Sequence, residues 1–248
     1  MSFPKKLLAG GIAAIALAVA ALFIFLFFIR DDSPEEFELR TEEEVAEDRA
    51  AAPDATDAPD APDAAESEEA EDTAEGIEGN WTIGPGSQAG YRVIEDFAAI
   101  PDFEAVGRTS ELEGFLTIEG TVVTTATFDV DIASMTSDSG RRDGQFKGAI
   151  MNASEFPTAK FVLTSPIDLG EVPGEATANS FAATGDLTLR GVTNSVDVAI
   201  DAQLLSGEIE VVGSIDVIFA DFGINNPSNG VVTVRDEGKV EFQLIFIR

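Results

Sequence analysis

Neither cysteine nor histidine occurs anywhere in the 248 residues of this chain. Without cysteine no disulfide can support a domain outside the cell, so stability has to come from a buried core. Losing both residue types also removes thiolate and imidazole metal sites, Ser-His-Asp triads, Cys-His dyads and any histidine general base. Positive charge is scarce: 15 Lys and Arg stand against 46 Asp and Glu, a formal net charge of -31. Such a chain repels nucleic acid and anionic lipid heads, and nucleic acid is not an expected partner. Acid/base chemistry is left with carboxylate pairs alone. Asp129 and Asp131 share a strand face expected to be solvated, and no sequence feature drives their pKa values apart. The expectation is a binding protein and not an enzyme, with no catalytic residue, no metal and no cofactor.

What is present falls into three unlike regions. Residues 7–29, LLAGGIAAIALAVAALFIFLFFI, carry no charge. At a helical rise of ~1.5 Å per residue they are long enough for the ~30 Å hydrocarbon core of a bilayer, so a transmembrane helix is expected. Lys5 and Lys6 precede it, and Arg30 is followed at once by Asp31, Asp32, Glu35 and Glu36. The positive-inside rule therefore places residues 1–6 in the cytoplasm and everything after residue 30 outside, as a single-pass cell-membrane protein. The run outlasts the ~7–15-residue apolar core of a signal peptide, which favours an uncleaved anchor over cleavage near Ala18-Val19-Ala20. Residues 30–79 are dominated by Asp, Glu, Ala and Pro, with a crude repeat in APDATDAPDAPDAAESEEAEDTAEG. Little apolar surface is available to offset the entropy of ordering, so this stretch reads as a disordered acidic linker, extended by self-repulsion into a spacer.

From residue 80 to residue 248 the pattern changes to short runs of period 2. TVVTTATFDVDI sends Val122, Thr124, Ala126, Phe128, Val130 and Ile132 to one side. SFAATGDLTLR alternates Phe181, Ala183, Gly185, Leu187 and Leu189 with polar neighbours, and KVEFQLIFIR does the same with Val240, Phe242, Leu244 and Phe246. These are half-buried antiparallel strands. Turn signals in IEGTV, LRGVTN and LSGE separate them. Several runs are ten residues or more, which suits the tall walls of a barrel better than a compact sandwich, with about eight strands expected. The stretch RRDGQFKGAIM breaks the rhythm. Phe146, Ile150 and Met151 share one side of a short helix there, a crossover lying at a barrel end or over its side. GPGSQAG, residues 84–90, resembles a phosphate-cradling loop only on the surface: no parallel strand precedes it and no helix follows, so Gly84 and Pro85 mark a bend in the first strand.

Arg141, Arg142 and Lys147 gather in this crossover despite the overall acidity. Two readings stand. The leading one pins the connection through ion pairs, Arg142 with Asp143 among them; the other meets a ligand's anionic head group.

Five segments in order, WTIGPGSQAGYRV, VGRTSELEGFLTI, MTSDSGRRDGQFKGAIMNASEFPTAKFVLTS, GDLTLRGVT and ADFGI, resemble the YceI-like family, especially its membrane-anchored actinobacterial type. The resemblance spans Trp81 to the C-terminus. It implies an all-β fold, an extended lipocalin-like antiparallel barrel whose hydrophobic pore holds a polyisoprenoid chain, so an isoprenoid lipid or quinone is the implied partner. Many members carry an Asp and a His-Ser pair near the first strand; this chain has Gly84 and Gly86-Ser87, and no role for that histidine transfers. Tyr91, Phe115, Phe128, Phe146, Phe161, Phe181 and Leu187 are the candidate cavity lining, and Arg141, Arg142 and Lys147 the candidate head-group contacts. The chain is then a carrier, reservoir or sensor of lipid. In the alternative, side chains fill the barrel and it serves as an interaction module of the cell envelope.

Overall fold

The structure, a computed structural model, describes residues 33–51, 76–97 and 100–248. The apolar run 7–29 lies outside the described residues; among those described, no helix is long and apolar enough to cross a membrane.

Chain order runs from helix α1 (Glu42–Ala51) through strands β1 (Gly79–Ile83), β2 (Gln88–Phe97), β3 (Ile100–Thr109), β4 (Leu112–Glu119) and β5 (Val122–Asp131). A short β6 (Thr136–Ser137) leads to helix α2 (Gly140–Gln145), which continues as a π-helical turn over Phe146–Ile150. Strands β7 (Thr158–Leu163), β8 (Ile167–Asp168), β9 (Asn179–Leu189), β10 (Val192–Leu205), β11 (Glu208–Ile218) and β12 (Val232–Ile247) complete it. The strands pair antiparallel in the order β1-β4-β5-β7-β9-β10-β11-β12, and β12 returns to β1, so eight strands close a barrel. Closure leaves no free edge within that ring, while β2, β3 and β6 continue the sheet beyond β12. The expected eight-strand all-β barrel with a crossover helix is what forms.

The first strand is split, as the Gly84-Pro85 bend suggested. β1 pairs with β4 and β12, whereas β2, beyond the bend, pairs with β12 and β3. Ser87, buried at the bend, donates its hydroxyl to the Gly84 carbonyl at 2.9 Å and accepts the Ile245 N–H at 2.9 Å. Two hairpins turn on residue pairs with positive φ, Arg190-Gly191 at 51° and 76° and Ser206-Gly207 at 55° and 80°. That is the mirror-image turn whose twist matches its strands.

One expected face is corrected. In β5 the register shifts between Thr117↔Thr125 and Ile118↔Val123. This bulge at Thr124 reverses the alternation, so Val123 is buried and lines the interior instead of Val122 and Thr124. Period-2 reading holds only where no residue is added.

The acidic segment also departs from expectation. Residues 35–51 form no free spacer; they belong to the same compact unit as the barrel, Glu35–Arg248. Residues 35–41 lie on the outer wall as a strap. Glu210, fully buried, accepts from the Arg40 backbone N–H and Nε (both 3.1 Å), Gln203 Nε2 (2.9 Å) and Gln243 Nε2 (2.7 Å). Arg40 reaches Glu208 as well, at 3.1 Å. Phe37 lies under the Arg108 guanidinium, 3.8 Å from ring centroid to carbon. Thr41 and Glu44 then cap α1: the Glu44 carboxylate accepts the Thr41 N–H at 2.7 Å, and the Glu44 N–H reaches the Thr41 hydroxyl. Ile77, inside the stretch expected to be disordered, is buried beside Trp81, whose indole N–H donates to its carbonyl at 2.9 Å. Residues 52–75 lie outside the described residues.

Candidate functional site

The barrel interior is not filled. Its inward positions include Ala89, Ala105, Ala126, Ala159, Ala183 and Ala202, too small to meet across an eight-strand barrel, and a cavity of about 270 Å³ remains between two apolar clusters. Its wall is almost wholly hydrocarbon. Aromatic rings set the shape: Phe128 stacks on Phe161 at 6.0 Å between centroids and meets Phe246 at 5.7 Å. Glycines make room for these rings. A Cβ added at Gly185 would come within 2.3 Å of the Phe161 ring, and one at Gly107 within 2.4 Å of the Tyr91 ring.

Of the polar side chains in the lining, Tyr91, Glu95 and Arg142 gather at the crossover helix, while Lys160, Gln203 and Lys239 come from β7, β10 and β12. Tyr91 stacks on Phe146 with centroids 4.4 Å apart. Arg142 pairs with Glu95 at 3.3 Å, both only 16% exposed, and with Asp138. Burial works against the Arg142 charge, but Glu95 and Asp138 outweigh it and the pKa is raised. Burial likewise pushes the Tyr91 hydroxyl up to about 12, against the pull of Arg142. The phenol hydroxyl thus sits among Ser137, Arg142, Asp143 and Glu95, while its ring lines the cavity. Asp143 does not pair with Arg142 as expected; its carboxylate accepts the Ser137 N–H at 2.9 Å and hydroxyl at 2.6 Å, tying α2 to β6. The connection is pinned, through different partners.

Tyr91, Phe128, Phe146, Phe161, Phe181 and Leu187 all line the cavity. Phe115 does not: it is 43% exposed on the outer face of β4. Leu116 and Ile118 take the inward positions there, and Gly114, which carries no side chain, hides the phase of the alternation. Of the head-group candidates only Arg142 reaches the lining; Arg141 is exposed and Lys147 stands outside it. The motifs did not point to Phe219, Phe242, Phe246 and Met151, or to Glu95 as the partner of Arg142. The alternation of β12 carried the signal for Phe242 and Phe246; nothing in the sequence pairs Glu95 with a residue 47 positions away.

The YceI-like domain signature matches residues 81–246. The chain belongs to the YceI-like family. Among relatives of this YceI-like chain, a UPF0312 protein of Shewanella denitrificans is 32% identical over 128 residues, 48% of this chain and 63% of the relative. The matched stretch thus spans less than two thirds of that relative. Two solved structures share the fold at 19% identity. One is a polyisoprenoid binding domain from Saccharophagus degradans, with a TM-score of 0.53 over 68% of this chain and 98% of that one. The other is BcnA of Burkholderia cenocepacia, with a TM-score of 0.50 over 64% and 95%.

Proposed function

We propose that this YceI-like barrel binds one long apolar lipid, a polyisoprenoid or isoprenoid quinone, and acts without catalysis as its carrier, reservoir or sensor. The open, hydrocarbon-lined cavity carries this reading, since a barrel serving only as an interaction module gains nothing from an interior left unfilled. The polyisoprenoid binding domain named in the Saccharophagus degradans relative has the same fold and supports the ligand class. The tail would lie along Phe128, Phe161 and Leu187, with the head toward Tyr91 and the Arg142–Glu95 pair. Residues 7–29 would anchor the protein in the cell membrane with the barrel on the extracytoplasmic side, next to the source of such lipids.

Native mass spectrometry with lipid extraction tests this on residues 35–248, exported and purified without detergent. A stoichiometric isoprenoid or other long apolar lipid is expected. A barrel that arrives empty and also refuses added polyprenols and quinones returns the function to a surface interaction module.

A further inference from the structure

Most of the cavity wall is strand, closed by continuous ladders of hydrogen bonds; the segment 140–150 is different. Phe146 and Ile150 face the cavity from it, as does Met151, the residue that caps its end. The same segment carries Gly140, Gly144 and Gly148 at intervals of four, and a Cβ added at any of them would meet nothing within 4 Å. None of the three has positive φ. Neither packing nor backbone geometry therefore asks for glycine at these positions. Each glycine inside a helix lowers its formation constant roughly fivefold relative to alanine. The helix also changes to π geometry at Phe146, a distortion of the regular ladder. Its fastenings to the barrel include the Arg142–Glu95 pair, the two Ser137 bonds to Asp143 and the Tyr91–Phe146 stack.

We propose that residues 140–150 are the gate of the cavity: local unfolding of this glycine-weakened segment swings Phe146, Ile150 and Met151 out of the wall and admits or releases the lipid. The proposal rests on the reading that the cavity holds a long apolar ligand. Local opening needs few contacts to break, and segments with little helix propensity are where it occurs. The glycines set how often the gate opens, while the strands behind it set what fits.

The test uses the full chain in phosphatidylcholine vesicles with decylubiquinone as the uncharged probe. Trp81 is the only tryptophan and packs, just outside the lining, in the apolar cluster that contains the lining residues Leu116, Ile118 and Phe246, so its quenching by a quinone seated beside that cluster reports filling of the barrel. Stopped-flow mixing gives the loading rate, and dilution into excess empty vesicles gives the release rate. In a Gly144→Ala/Gly148→Ala variant both rates should fall roughly twenty-fivefold, the product of two fivefold effects, with the equilibrium affinity unchanged. Gly230→Ala, at another open glycine outside the segment, should change neither rate. Rates in the double variant within twofold of the parent, with quenching intact, overturn the gate and leave the binding reading standing. Absence of quenching in the parent overturns both.

Discussion

Tyr91 is where ring stacking, burial and charge meet. Its ring lies flat on Phe146 and over the bare backbone of Gly107, and its hydroxyl titrates near 12 because burial disfavours the phenolate. It is also the only tyrosine in the chain. Absorbance at 295 nm should show one phenol titrating near 12 in the folded protein and near ~10 in urea. The folded state holds the proton more tightly, so this contribution to stability is complete below pH ~10 and is lost as pH rises toward 12. Tyr91→Phe should remove that alkaline loss, seen as a flatter urea midpoint between pH 9 and 11. At this scale the sequence was informative about residue type and less so about direction. Inward positions on regularly alternating strands, such as Phe128 and Leu187, were legible; Phe115 was not, because two adjacent apolar residues and a glycine leave the phase of β4 undecided. Nor can a sequence say that Arg142, the one cation of its cluster to reach the lining, is already held by Glu95 and Asp138.

Among the elements, the strap differs most from what composition implies. Glu210 sits fully buried on an outer wall, a costly place for a carboxylate unless its oxygens are satisfied, and Arg40, Gln203 and Gln243 satisfy them. A second buried carboxylate, Glu241, accepts from Arg92 at 3.0 Å and Arg108 at 2.8 Å, and burial of Arg92 is outweighed by Glu241 and Glu104 so that its pKa is raised. The surface beneath the strap is therefore polar, and water can take over its bonds if the strap lifts. Arg40→Ala should free residues 35–47 for rapid cleavage by a glutamate-specific protease while the barrel core stays resistant; equal cleavage rates in parent and variant would remove Arg40 as the fastening. The reason this element was illegible is physical. Its docking depends on one arginine meeting a glutamate 170 residues away, and local composition, rich in like charge, argues the opposite.

At the scale of the whole molecule, a ligand that binds only the folded barrel must raise its stability. At a hundredfold excess over Kd the gain is about 2.7 kcal/mol, which for a domain of this size is roughly 5–10 °C in Tm. Calorimetry of lipid-loaded against solvent-stripped residues 35–248 should show that shift, and superimposable curves would mean that no ligand is held by the native state. The barrel itself was legible because alternation, length and turn signals agree along the chain. The ring order was less so: period-2 patterns say which face is buried, not which strands are neighbours, and the split at Gly84 gives one run two sets of partners.

The strap also changes where the folded unit starts. Ala51 and Gly76 belong to one compact unit, Glu35–Arg248. That unit begins at Glu35, not at Gly79. A chain begun at Gly79 would therefore lack Arg40 and leave the buried Glu210 carboxylate with only the Gln203 and Gln243 amides as partners.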